Sequence, residues 1–110
     1  MSKRTAVAWA ASAAAAALAF AVLAQSVETF SEEQVKRGSA IYAQNCSPCH
    51  GPRMMDPQGP FDLRKFPPDQ KSRFVTSVTK GKNQMPPWGD LFKSEEIDAL
   101  WAYVMAGERQ

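Results

Sequence analysis

Apolar residues recur at helical spacing in three stretches of this chain, separated by segments rich in proline and glycine. The clearest lies near the C-terminus, where Ile97, Leu100, Trp101 and Val104 share one helical face before Gly107. Ser94 is placed to cap this helix, and Glu95 and Glu96 suit the positive end of its dipole. An earlier helix is predicted from Glu32 to Asn45, with Ser31 as its N-cap and Gln34 completing a capping box. A middle helix is predicted from Asp69 to Lys80, with Phe74, Val75 and Val78 on one face and Gly81 ending it. Residues 51 to 68 carry Gly51, Pro52, Pro57, Gly59, Pro60, Pro67 and Pro68, which exclude a long helix or a central strand. No stretch alternates as a strand does, and no segment repeats, so the domain reads as all-α.

A different apolar pattern opens the chain. Lys3 and Arg4 precede a mostly alanine stretch from Ala6 to Ala24, the layout of an export signal, and Val22 and Ala24 fit a cleavage site. Residues 1–24 are therefore read as a signal peptide and residues 25–110 as one domain of 86 residues, exported to the periplasm. The competing reading is an uncleaved anchor, because residues 5 to 24 are about long enough to cross a ~30 Å hydrocarbon core.

Cleavage changes the charge balance. Two of the 13 basic residues and none of the 11 acidic ones lie in the leader, so the remaining domain is formally neutral. Nucleic-acid binding loses its compositional support. The segment from Arg53 to Lys82 nonetheless holds seven basic residues against three acidic ones. A domain of this size sits near the lower limit for a self-sufficient core, and such folds commonly need a staple.

The chain's chemistry is concentrated in Cys46-Ser47-Pro48-Cys49-His50, which holds both cysteines and the only histidine. Two thiols three positions apart can bond the vinyl groups of a haem while the adjacent imidazole ligates its iron. A thioredoxin-like dithiol would need a βαβ framework, and a structural zinc site wants four Cys or His ligands where this chain offers three. One covalent haem c, held by Cys46 and Cys49 and ligated by His50, is the reading the motif favours. The haem would also supply the missing core volume, so the apoprotein is expected to be largely unfolded.

The sixth iron position decides between electron transfer and ligand chemistry. After the leader there are four methionines. Met54 and Met55 follow His50 by only four and five residues, too few to reach the opposite haem face, and Met105 falls in the last helix, where methionine more often fills a core. Met85 lies 35 residues beyond His50 in a helix-free stretch stiffened by Pro86 and Pro87. Met85 is therefore expected to be the second metal ligand.

A helix with Gly38, Ile41 and Tyr42, then Cys46 to Gly51, then Met85-Pro86-Pro87-Trp88, then a helix with Leu100 and Tyr103, resembles the class I c-type cytochromes, small monohaem bacterial cytochromes c among them. The resemblance spans roughly residues 31 to 106. It implies the cytochrome c fold, three to four helices wrapped around one haem, with Gly38 meeting Tyr103 or Trp101 where the first and last helices cross. It also implies supporting roles: the Pro60 carbonyl, with Pro57 as second choice, accepting the free N–H of His50, and Trp88 and Arg64 near the haem propionates.

What the resemblance implies is a non-enzymatic, monomeric electron carrier between transient redox partners, a dehydrogenase donor and an oxidase or other cytochrome as acceptor. Arg53, Lys80 and Lys82 would form a positive collar that steers such partners. Phe61 to Pro67 and Met85 to Asp90 look like cytochromes that accept electrons from periplasmic quinoprotein dehydrogenases. The alternatives are a haem enzyme or gas sensor with an open sixth site, and a membrane-tethered cytochrome subunit of a respiratory complex.

Overall fold

The computed structural model describes residues 28–57 and 59–108, so the leader and its cleavage site lie outside the described residues. Four α-helices form among them: α1 (Glu32–Asn45), α2 (Ser47–His50), α3 (Lys71–Lys80) and α4 (Ser94–Ala106), with 3-10 turns at Pro52–Met54 and Leu63–Lys65. No strand forms among the described residues beyond an isolated bridge between Lys82 and Met85. None of the described helices is long and apolar enough to cross a membrane.

The helix boundaries follow local chemistry. Ser31 Oγ accepts a hydrogen bond from the Gln34 amide at 3.1 Å and starts α1 where the sequence places it. Helix α3 begins two residues later than expected, because Gln70 N–H bonds back to Pro67 O at 3.2 Å and keeps Asp69 in a turn. Ser94 is the first residue of α4 rather than its cap. Lys93 takes the cap position, and Glu96 reaches back to accept from the Lys93 amide at 2.9 Å.

Helix α4 is the centre of the fold. Its expected face of Ile97, Leu100, Trp101 and Val104 is buried, and so are Ala99, Ala102 and Tyr103. A helix buried nearly all round needs a neighbour on each side. On one side Phe66, Phe74 and Trp101 meet edge-on or tilted, with ring centroids 5.2 to 5.9 Å apart. On the other, α1 crosses α4 at Gly38.

That crossing is possible because Gly38 lacks a side chain. A Cβ placed there would lie 1.9 Å from Ala99 O and 2.9 Å from Tyr103 Cβ. The glycine therefore faces Ala99 and Tyr103 at close quarters, with Tyr103 rather than Trp101 as its aromatic partner. Gly38→Ala should gain about 1 kcal/mol of helix propensity. It must also push the α4 backbone away, so a net loss of about 1–3 kcal/mol is expected. A thermal midpoint at or above that of the parent protein would show that the two helices are not in contact there.

Candidate functional site

The C-terminal end of α1 continues almost directly into α2, so the sequence's cysteine motif is itself helical rather than the start of a loop. Cys46 is the residue between the two helices, and His50 N–H donates to Cys46 O at 2.9 Å. A helical turn puts positions three and four apart on one side, which brings Cys46, Cys49 and His50 together. The two thiols are not joined to each other. Burial, and then the neighbouring Cys49, push the Cys46 thiol up to about 11.

Cys46 and His50 form one wall of an apolar cleft of about 70 Å³, partly open to solvent. The cleft is completed by Leu63 and Phe66 from the loop, Phe74, Ser77 and Val78 from α3, Met85 and Trp88 from the segment after α3, and Leu100 and Val104 from α4.

Met85 is positioned by a closed turn. Lys82 N–H donates to Met85 O at 3.1 Å and Met85 N–H to Lys82 O at 2.9 Å, with Asn83 in the left-handed region. Gly81 enters the turn at φ 79°, and a Cβ there would lie 2.6 Å from Met85 O, so both conformation and space call for glycine. Beyond Pro86 and Pro87, Trp88 N–H bonds to Val78 O at 2.8 Å and Gly89 N–H to Thr79 O at 3.1 Å. These two bonds fasten the strap to the end of α3.

His50 occupies an apolar setting. Burial pushes its pKa below the ordinary value, partly offset by the Phe61 backbone, so the imidazole is neutral at neutral pH, the form that binds metals. Its Nδ1 is buried and no hydrogen bond to it is formed. A buried polar atom of this kind calls for a partner. The donor set of thiols, imidazole and thioether around apolar walls fits haem c.

The expected supporting residues fare differently. Trp88 lines the cleft and stacks on Phe92, centroids 5.3 Å apart and planes 7° from parallel. The backbone acting on the His50 ring is that of Phe61, one residue past the half-buried Pro60. Arg64 does not line the cleft. Its guanidinium forks onto the Asp62 carboxylate, both contacts at 3.1 Å. Cys49 is exposed at the edge, next to the cleft-lining His50. Of the positive collar, Lys80 and Lys82 are exposed, whereas Arg53 is paired with Glu108 at 3.0 Å.

Several lining residues were not anticipated. Tyr42 and Ser77 carried a usable signal, being one helical turn from Cys46 and from Phe74 respectively. Leu63 and Phe66 carried none, because a loop has no period to read.

The two carboxylates paired with arginine also set a pH response. Hydrogen bonds from Arg53 and from Arg64 hold Glu108 and Asp62, respectively, below the usual carboxylate range. Each binds fewer protons folded than unfolded, so its contribution is complete above the ordinary carboxylate pKa and is lost as pH falls through the folded value. The thermal midpoint should fall on acidification below about pH 5. A midpoint that holds or rises there would contradict these pairings.

Residues 33–104 match the family described as cytochrome C oxidase, cbb3-type, subunit III. Cytochrome c6 of Microcystis aeruginosa is 35% identical over 74 residues, covering 63% of this chain and 91% of that protein. Cytochrome c6 of Nostoc sp. is 33% identical over 73 residues, covering 62% and 66%. The quinohemoprotein alcohol dehydrogenase ADH IIB of Pseudomonas putida is 34% identical over 83 residues, which cover 73% of this chain and 12% of the dehydrogenase. No solved structure matches.

Proposed function

Since this chain belongs to the class I c-type cytochromes, small all-α electron carriers, we propose that it is an exported monohaem carrier whose haem is bonded at Cys46 and Cys49 and ligated by His50 and Met85. The observation that carries this reading is that Met85, 35 residues beyond His50, lines the same apolar cleft as Cys46 and His50. When bound, the haem supplies a one-electron couple whose potential His/Met ligation raises.

The chain's own residues account for the rest. Leu63, Phe66, Val78, Leu100 and Val104 keep water from the buried face, which disfavours extra charge on the iron and so also supports a raised potential. The Lys82–Met85 turn and the two bonds to α3 hold the thioether in one position. With His50 and Met85 both anchored by their surroundings as ligands, little would need to reorganise when the haem takes up or gives up an electron. Such ligation would leave no site for a substrate on the metal.

Transient partners are the natural counterpart of such a carrier. The dehydrogenase segment similar to this chain supports a quinoprotein donor, and the family's oxidase subunit supports a terminal oxidase as acceptor. The exposed Lys80 and Lys82 beside the Met85 turn would favour acidic docking patches.

The test is a pyridine haemochrome spectrum of the purified protein together with its intact mass. The expected result is a c-type spectrum, a mass gain of one haem, and a sulfur-to-iron charge-transfer band in the oxidised form. A protein lacking covalent haem would overturn the reading, and a haem protein without that band would favour an open-site enzyme or sensor. The same mass tells whether residues 1–24 remain, which separates a free carrier from a tethered subunit.

A further inference from the structure

Directly after His50 the backbone takes an unusual path. Arg53, Met54 and Asp56 have φ of 58°, 61° and 55°, a region that residues other than glycine enter only when their surroundings hold them there. A connected set of side chains does so. Tyr42 OH donates to Gly51 O at 2.6 Å, and the Tyr42 ring packs 5.2 Å from that of Tyr103. Tyr103 OH donates to Glu108 Oε1 at 2.9 Å. The Arg53 guanidinium closes the circuit by forking onto Glu108, Nε to Oε1 at 3.3 Å and Nη2 to Oε2 at 3.0 Å.

We propose that Arg53, Glu108 and Tyr103 form a lock that ties the end of α4 to the loop after the cysteine motif and thereby positions His50. The inference rests on the haem reading above. Metal-ligating histidines are usually oriented by a hydrogen bond to the free ring nitrogen. The backbone acting on the His50 ring is that of Phe61, further along the same loop, so the path this loop takes after Gly51 bears on the ring's orientation. Gly51, the next residue, is gripped by Tyr42, and the following turn is gripped by Met54 in the core and Arg53 on Glu108.

An ordinary surface ion pair would contribute little. This one is built differently. The Glu108 side chain is only 16% exposed although that of Arg53 is 71% exposed. The carboxylate also serves two donors at once, in the bidentate geometry that makes arginine pairs strong. The bond from Arg53 depresses the Glu108 pKa, and burial, then the bond to Glu108, raises that of Tyr103.

The lock can be opened with little change of shape by Glu108→Gln in the haem-loaded protein. Two readouts are expected to move together. Amide hydrogen exchange at Met54 and Met55, whose N–H groups bond within this turn to Gly51 O and Pro52 O, should rise at least about fivefold, the fold-change that ~1 kcal/mol represents. The His50 ring proton resonances of the reduced protein should shift. Tyr103→Phe, which keeps the ring but removes the donor, should move both in the same direction. Lys71→Ala, which breaks the exposed Lys71–Asp98 pair, should move neither. Unchanged exchange in Glu108→Gln, or faster exchange with His50 resonances that stay in place, overturns the lock. Failure of the parent protein to carry haem would overturn the reading beneath it instead.

Discussion

Converting Cys46 and Cys49 together to alanine is expected to abolish haem retention and with it cooperative folding. The cleft that Cys46 lines is walled by residues that are also the core: Tyr42, Phe66, Phe74, Val78, Leu100 and Val104 belong to one buried cluster. With nothing in the cleft, these side chains face solvent on one side and lose the dispersion contacts and water exclusion that burial supplies. A domain of fewer than ninety residues has little to set against that loss, since its stability margin is about 5–15 kcal/mol in total. The expected effect is loss of the whole margin. Circular dichroism during heating should show a broad, non-cooperative change in the variant. A sharp transition within a few degrees of the parent midpoint would show that the chain builds its core without a staple. Cys49→Ala alone leaves Cys46 to hold the group and should fall between the two.

The second large effect is expected from Met85→Ala. Removing the thioether opens the iron's sixth position while the strap around it stays fastened by the Trp88 and Gly89 bonds to α3. An added ligand such as imidazole must otherwise wait for Met85 to leave, and its apparent affinity falls by the fraction of molecules in which the site is open. If that minor state is populated at about 0.1–10%, alanine should tighten imidazole binding about 10- to 1,000-fold. The charge-transfer band should disappear and the reduction potential should fall, because the thioether favours the reduced iron. A titration in which parent and variant bind imidazole equally would remove Met85 from the ligand set. It would then reopen the enzyme and sensor readings.

Much of the architecture was legible in the chain itself. Helix α1 begins where its Ser31 cap indicates and ends at Asn45 as expected, and α3 and α4 fall within two residues of expectation. These elements are set by local interactions: a side-chain cap, acidic residues in a first turn, a glycine at an end. The loop was harder, because its conformation depends on partners distant in sequence. Its positive φ values at Arg53, Met54 and Asp56 sit on residues whose propensities give no warning of them. Arg64 shows the same limit. A spacing argument can offer a cation to a propionate, but Asp62 two residues away competes for it, and the fork forms locally.

The motif from Cys46 to His50 and the segment around Met85 could be singled out in the chain because chemistry with so specific a donor set needs few residue types at short, fixed spacing. The single histidine and the paired thiols determine, without any coordinates, that a haem is the cofactor to expect. The all-helical class follows in the same way from periodicity and breakers. What the tertiary structure alone decided is which residues share the cleft and what fastens the segments that line it. Gly38 admits α4 against α1, Val78 and Thr79 fasten the Met85 strap, and Glu108 reaches Arg53 across 55 positions of chain. The reason is physical. Periodicity and capping are properties of neighbouring residues, whereas close approach, burial and hydrogen bonding between distant segments come into existence only when the chain has packed.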